Sequence, residues 1–434
     1  MSDLHRMAQA IEFDPKQCMG CTACVSTCQR LSVGYLEMCQ ESGKRHVAAK
    51  KDPKVDCIYC GQCTLVCPTG AICEQSEVAA VEALLKNKGD KVLIVQMAPS
   101  VRASIGELFD QEPGTNLMGQ MVTALRQVGF DKVFDVNMGA DITTVVEGEE
   151  LVTRLKNKGI LPMFTSCCPS WVKYVAFYHP ELKPHLSTAR SPQIHSGGAY
   201  KTWWAKREGV DPKKIVVVSL MPCTSKKQEA RLEELKVNGM APVDFVLTTR
   251  EVATLFKNHQ IDLPRLKPSD VDPCGTSSGA GAIYGASGGV MESVLRTAYF
   301  LLTGKELDKV EFEMVRGVSG LKKAIVAMGD YSLKIAVAHS IPNVKKVLEE
   351  LKENPHAYDF VEVMVCPGGC MGGGGQPKPK AGTLEKRLQA LYDIDASMTL
   401  RKAHQNPVVK EFLGQYIATL PREEQEAILH RSYS

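Results

Sequence analysis

Cys366-Pro-Gly-Gly-Cys370-Met-Gly-Gly-Gly-Gly-Gln-Pro377 follows an apolar, strand-like run at residues 360–365. Two thiols four residues apart, in backbone made mostly of glycine, point to a metal site where the chain presses against an inorganic object with no Cβ atoms in the way. A flexible linker is the competing reading. A linker needs no cysteines, however, and rarely sits between a strand and a following helix.

Working outward, strand-like runs at residues 92–96, 132–136, 161–165, 215–220, 245–247, 335–338 and 361–365 alternate with helical segments. That alternation predicts α/β layers whose sheets are at least partly parallel, and such folds place their chemistry in loops after strand C-terminal ends. Two of those loops hold cysteines, Thr165-Ser-Cys167-Cys168-Pro169-Ser-Trp171 and Met221-Pro-Cys223-Thr-Ser-Lys226-Lys227. Together with the glycine-rich stretch they bring four thiols, Cys168, Cys223, Cys366 and Cys370, which suffice for one cubane. Adjacent side chains diverge in extended backbone, so Cys167 should have another task.

The N-terminal part reads differently. Ten of the sixteen cysteines lie before residue 76, eight of them in two matching runs. These are Cys18-x2-Cys21-x2-Cys24-x3-Cys28 and Cys57-x2-Cys60-x2-Cys63-x3-Cys67-Pro68. Zinc favours four sulfurs from two pairs, whereas two runs of four match a pair of [4Fe–4S] clusters that exchange their fourth ligands. Cys39 and Cys73 are left over and read as small buried hydrophobes, as does Cys274. Residues 31–53 separate the two runs as an insertion without an evident purpose. A helix beginning near Ser76, with Gly89 as its terminator, links this cysteine-rich part to the α/β layers.

At 434 residues the chain is long enough for two or three domains. Its 52 basic and 49 acidic residues are interleaved, leaving a formal charge of +3 and no nucleic-acid footprint. Residues 1–10 lack the basic start and apolar run of an export signal, and no apolar stretch is long enough to span a membrane. Many cysteines without such a signal predict metal binding in the reducing cytoplasm.

The N-terminal runs resemble a two-cluster bacterial ferredoxin, which implies one cluster on Cys18, Cys21, Cys24 and Cys67 and another on Cys57, Cys60, Cys63 and Cys28. The three later motifs, TSCCPSW, MPCTSKK and CPGGCMGGGGQP, resemble the signature set of the [FeFe]-hydrogenases. The expected fold is therefore an α+β ferredoxin-like domain (1–80) followed by an α/β two-lobed catalytic domain with mixed sheets (81–434), including a helical segment at 380–434. The resemblance implies reversible reduction of protons to hydrogen at an H-cluster, in which Cys370 bridges the cubane to a di-iron unit carrying CO, cyanide and an azadithiolate. It further implies dedicated maturases, and a ferredoxin or flavodoxin as electron partner. The cluster on Cys18, Cys21, Cys24 and Cys67 is expected nearer the H-cluster. A hydrogen-sensing relative and a subunit of an electron-bifurcating complex are the alternatives.

By the same resemblance, Cys167, Glu147, Ser187, Glu150 and Arg154 relay protons. Glu147, Glu150 and Arg154, at i, i+3 and i+7, would share one helix face, although alone they read as an ordinary solvated ion-pair face. Lys226 is expected to donate to a cyanide, whereas Lys227 reads as a surface lysine. Ala98, Pro99, Ser100, Gln193, Met221, Pro222 and Met364 are expected to line the di-iron pocket. Tyr284, in Gly279-Ala-Gly-Ala-Ile-Tyr284-Gly, stands where a phenylalanine is usual and adds a hydrogen-bonding group.

Overall fold

The computed structural model describes residues 9–41 and 43–433. Most of the segment read as lacking an export signal, residues 1–8, lies outside the described residues. Strands β1 (Ile11–Phe13), β2 (Leu36–Glu41), β3 (Lys44–Ala49) and β4 (Ile72–Glu74) belong to the N-terminal unit. β1 pairs antiparallel with β4, and β2 with β3. The supposed insertion is thus a β-hairpin. Each cysteine run leads into a short helix, Ala23–Arg30 or Gln62–Val66, through the same backbone path. Gly20 and Thr22 have φ of +68°, and Tyr59 and Gly61 repeat the pattern at +57° and +68°. Left-handed residues at alternate positions curl the loop so that backbone N–H groups point inward.

The remaining strands are β5 (Val92–Met97), β6 (Lys132–Asp135), β7 (Met163–Phe164), β8 (Ile215–Met221), β9 (Phe245–Thr248), β10 (Leu321–Met328), β11 (Tyr331–His339) and β12 (Phe360–Met364). They form two four-stranded sheets. The first runs β6-β5-β8-β9 and is wholly parallel. In the second, β10-β11-β12-β7, only the β10–β11 pair is antiparallel. Central strands are buried on both faces, as in Leu93, Ile94, Val95 and Met97, so they read as continuous apolar runs.

β10 escaped the sequence reading because it is an edge strand. It carries exposed Lys323 and Ile325 between buried Lys322 and Val326, and it turns into β11 through Gly329-Asp330. β7 is shorter than expected, since only Met163 and Phe164 find partners on β12. The linking helix, Val78–Lys86, stops before the expected Gly89, with Asn87 donating to the carbonyls of Ala83 and Leu84. It spans the boundary expected at residue 80.

Aromatic and aliphatic packing fixes the N-terminal unit to the second lobe. Val25, Tyr35 and Ile58 share one core with Trp171, Tyr174 and Val361. Phe164 and Trp171 rings lie 5.5 Å apart within it. At the other end, the helix Thr383–Ser397 supplies Arg387, which is fully buried. Its guanidinium pairs with Glu107 (2.7 and 2.9 Å) and donates to the carbonyls of Met371 (2.7 Å) and Pro377 (3.0 Å), clamping the glycine-rich loop from behind.

Arg387→Ala strands a partly buried carboxylate and two carbonyls. The expected cost is about 3–5 kcal/mol, read by chemical denaturation, with amide protection lost in the glycine-rich loop before it is lost in the N-terminal unit.

Candidate active site

Strand ends from both lobes converge on one partly open cavity with about 750 Å³ of space between its walls. β5 delivers Ala98, Pro99 and Ser100; β8 delivers Met221, Pro222 and Cys223; and the residues after β7 and β12 deliver Cys167 and Cys168, and Cys366 and Cys370. Met364, at the end of β12, and Tyr284, Gln193 and Lys226 also line the wall. Every pocket residue expected from sequence is present, and Val136, Ala140 and Pro192 join them without any signal beyond being apolar. Cys274 is buried but does not line the cavity.

Two smaller cavities hold the other thiols. One of about 360 Å³ is lined by Cys28, Cys57, Cys60 and Cys63, and one of about 330 Å³ by Cys18, Cys21, Cys24 and Cys67. Each set therefore contains three cysteines of one run and the last of the other. Among the described residues no three His, Cys, Asp or Glu side chains converge on the scale of a single metal ion. Larger polynuclear groups fit such spacing, and the main cavity, twice the volume of the others, has room for more than one cubane.

The order of the two sites corrects the sequence expectation. Cys60 lies within electrostatic range of Cys223 and Cys168, and Cys366 within range of Cys60. The site of Cys28, Cys57, Cys60 and Cys63 is therefore the inner one. The site of Cys18, Cys21, Cys24 and Cys67 is the outer one, and Cys21 is solvent-exposed.

Glycine explains the proximity, for a reason other than the expected one. A Cβ on Gly374 would lie 2.3 Å from the carbonyl oxygen of Cys60, and one on Gly373 would lie 2.3 Å from that of Pro222. Backbone against backbone, more than backbone against an inorganic group, is what demands glycine here. Gln62 and Thr64 then donate to the carbonyls of Gly372 (2.8 Å) and Gly374 (3.0 Å), and Thr224 donates to that of Tyr59 (2.7 Å).

Burial pushes the Cys60 and Cys223 thiols up to about 12, against opposing backbone N–H donors. A metal group entering these cavities must displace protons from them, which couples loading to pH. Two further buried atoms on the main wall lack partners, the Ser100 hydroxyl and the Gln193 amide oxygen. Polar atoms left open in an otherwise apolar cavity fit a bound group carrying polar ligands.

Lys226 is held from below. It donates to the Cys167 carbonyl (3.1 Å) and to Glu229 (2.8 Å), which leaves one of its three protons for the cavity. Burial would lower its pKa, but the Glu229 carboxylate outweighs that and raises it. Glu229 also accepts from Gln193 (2.7 Å) and Ser191 (2.8 Å), so it positions two wall residues at once. The sequence reading missed it, although its i, i+3 spacing from Lys226 was a signal. Lys227 is another correction: it is buried and pairs with Glu251 (2.9 Å). Cys39 likewise is half-buried and lies 3.1 Å from His46, and Cys73 is half-buried.

Three of the expected relay residues, Glu147, Glu150 and Arg154, lie along the helix Asn137–Lys156, and Cys167 and Ser187 come to it from the loops that follow β7 and residues 180–185. Glu147, nearest Cys167, is buried with neither carboxylate oxygen hydrogen-bonded. Burial, then repulsion from Glu150, pushes it up to about 8. Ser187 lies beside it and donates to Glu150 (2.9 Å), which also accepts from Thr188 and from Arg154 (2.6 Å). Arg154 additionally donates to the Leu186 carbonyl (2.9 Å). Thr144 donates to the Tyr284 phenol (2.9 Å), and burial raises that phenol well above its ordinary value.

The iron only hydrogenase large subunit, C-terminal domain, matches residues 91–374; the iron hydrogenase small subunit matches 381–434; and a 4Fe-4S dicluster domain matches 9–71. The chain belongs to the [FeFe]-hydrogenases. Over 440 residues it is 43% identical to the NADP-reducing hydrogenase subunit HndD of Solidesulfovibrio fructosivorans, covering 98% of this chain and 75% of the relative. It is 41% identical to iron hydrogenase 1 of Clostridium pasteurianum, covering 98% and 76%. A variant of apo [FeFe]-hydrogenase HydA1 from Chlamydomonas reinhardtii superposes with a TM-score of 0.73 at 36% identity, over 82% of this chain and 98% of that one. As an [FeFe]-hydrogenase, the protein carries iron–sulfur clusters and an H-cluster-type site and interconverts protons and hydrogen. None of its described helices is long and apolar enough to cross a membrane.

Glu147 of this hydrogenase carries a stability signature. The folded chain keeps its proton up to about pH 8, whereas the unfolded chain releases it near pH 4.5. Stability therefore falls as pH rises through that window, by at most about 1.4 kcal/mol per pH unit. Glu147→Gln should flatten the slope, making the variant more stable relative to wild type at pH 8 than at pH 5 in urea denaturation.

Proposed function

We propose that Cys168, Cys223, Cys366 and Cys370 hold the cubane of the H-cluster, with Cys370 bridging to a di-iron unit that carries CO, cyanide and an azadithiolate. The convergence of those four thiols, an extra thiol and unpartnered polar atoms on one oversized cavity carries this reading. When bound, the group supplies an open metal position and an adjacent base for making or splitting hydrogen. The chain's residues do the rest. Ser100 and Gln193 offer polar contacts to the diatomic and thiolate ligands, and Lys226 donates its remaining proton. Ala98, Pro99, Pro222, Met221 and Met364 keep water out and strengthen those contacts. Tyr284 places a second hydroxyl on the wall beside them.

Protons move between Cys167 and solvent. The Cys167 thiol exchanges with Glu147, which at neutral pH holds a proton it can pass on. Ser187 turns between Glu147 and Glu150, and Arg154 holds Glu150 at the outer end. Cys18, Cys21, Cys24 and Cys67 at the outer site and Cys28, Cys57, Cys60 and Cys63 at the inner one would hold the iron–sulfur clusters that supply a separate path for electrons to the main cavity. The donor is a low-potential ferredoxin or flavodoxin in the cytoplasm, and dedicated maturases install the di-iron unit. The relative named as a subunit of an NADP-reducing hydrogenase favours a second reading, in which a partner subunit feeds the outer site.

Hydrogen evolution from reduced methyl viologen, on anaerobically matured protein, tests the assignment. Cys167→Ala should keep the cubane, seen by its paramagnetic signal, and lose at least about a hundredfold in rate, the lower end for a lost acid–base group. Cys168→Ala should lose the H-cluster. Wild-type rates in Cys167→Ala would remove that thiol from the proton path.

A further inference from the structure

A proton relay ends in a group that trades protons with water, and Arg154 is poorly equipped for that. A guanidinium keeps its protons in proteins. Those of Arg154 are held by Glu150 and by the carbonyls of Ile160, His185 and Leu186. Glu150 has another neighbour. Its Oε2 accepts from the Thr188 hydroxyl (3.2 Å) as well as from Ser187 (2.9 Å), and the same Thr188 hydroxyl lies 2.9 Å from Nδ1 of His430. His430 is half-buried and caps the end of the helix Arg422–Leu429.

The closing segment of the chain is laid against the relay. Ala189 and His430 form an antiparallel bridge, the Arg431 N–H donates to the Thr188 carbonyl (2.7 Å), and the Tyr433 phenol donates to the Ser187 carbonyl (2.8 Å). Arg190 Nε donates to the His430 carbonyl (2.9 Å). These contacts pin the segment without help from the imidazole ring. The ring's contact with Thr188 therefore calls for another account.

The Thr188 hydroxyl has one proton to give. When Glu150 is ionised, that proton points to Oε2, and Nδ1–H of His430 is the donor to Thr188. When Glu150 is protonated the direction reverses: the carboxyl donates to Thr188, and Thr188 donates to a bare Nδ1. Both arrangements satisfy every atom of the chain, and they differ by the shift of one proton along each hydrogen bond.

We propose that Thr188 and His430 form the outer end of the proton path, carrying protons between Glu150 and solvent. The inference rests on the reading that protons travel between Cys167 and Glu150. In uptake, water protonates Nε2 of the imidazole, the Nδ1–H bond breaks as an O–H bond forms on Thr188, and the original Thr188 proton forms the O–H bond of Glu150. One proton crosses, no electron moves, and the imidazole is left neutral with its proton on Nε2. Release runs the same steps backwards. Once Glu150 has passed its proton inward, exchange with water returns the proton to Nδ1. Imidazole suits this place because it takes a proton at one nitrogen and gives one from the other. Arg154 then serves to position Glu150 and not to carry the proton.

Hydrogen evolution from reduced methyl viologen is measured on the matured enzyme, with iron content and the infrared bands of bound CO and cyanide as controls. His430→Ala should slow evolution on the order of tenfold or more, leave the controls at wild-type values, and recover much of its rate when imidazole is added to the solution. Thr188→Val should be slowed to a similar degree with no relief from imidazole, whereas Thr188→Ser, which keeps the hydroxyl, should recover most of the loss. Wild-type rates in both His430→Ala and Thr188→Val would overturn the proposal. So would a loss in His430→Ala that imidazole does not relieve while Thr188→Val runs at the wild-type rate, because a strap with a purely structural role behaves that way. Glu150→Gln, measured alongside, separates the two readings. A slow Glu150→Gln with a fast His430→Ala removes this exit alone, and a wild-type rate in Glu150→Gln removes the relay and the exit with it.

Discussion

The close approach of Gly374 to Cys60 and Gly61 is the contact on which the rest of the molecule depends. A strand end, a ligand loop and a second ligand loop meet there with no side chains between them. A Cβ on Gly374 would force the glycine-rich loop away from the inner cysteine site. Electron transfer weakens steeply with distance, so the glycine run sets the electronic connection as well as the packing. The surrounding polar contacts, from Gln62, Thr64 and Thr224, are interlocks that hold this approach fixed. Arg387 closes the far side of the same loop, which ties the C-terminal segment to the chemistry although it lines no part of the cavity.

A second constraint is electrostatic. Placing many thiols in low-dielectric surroundings disfavours their charged forms, and the loops answer with inward backbone N–H groups. Lys226 contributes a fixed positive charge on the cavity wall, with Glu229 beneath it. Glu147 stands in contrast: it is buried, without a hydrogen bond, and keeps its proton. A carboxyl left unsatisfied in this way destabilises the fold, and its place beside the Cys167 thiol gives a functional reason for tolerating it.

Cysteine spacing marked both cluster motifs, the three catalytic loops followed strand-like runs as read, and alternation of runs and helices gave a layered α/β domain. Local signals of that kind survive because ligand sets and buried parallel strands each impose a short, dense pattern on the chain. β10 did not survive, because an edge strand interleaves lysines with apolar residues and loses its periodicity. Thr188 and Thr144 were invisible for another reason: a polar residue that positions another looks like any polar residue until its partner is known.

The sequence by itself determined which residues are chemically equipped: the thiols, the spare Cys167, the carboxylates Glu147 and Glu150 proposed as a relay, and the apolar wall. Only the tertiary structure decided their order in space. It placed the second cysteine run, not the first, against the catalytic loop, because Gly61 and Gly374 permit a contact between segments more than three hundred residues apart. It also turned Lys227 inward to Glu251 while its neighbour Lys226 faced the cavity. Spacing along a chain fixes which ligands can share a group, but distance between groups comes from packing between segments, and no local pattern encodes it.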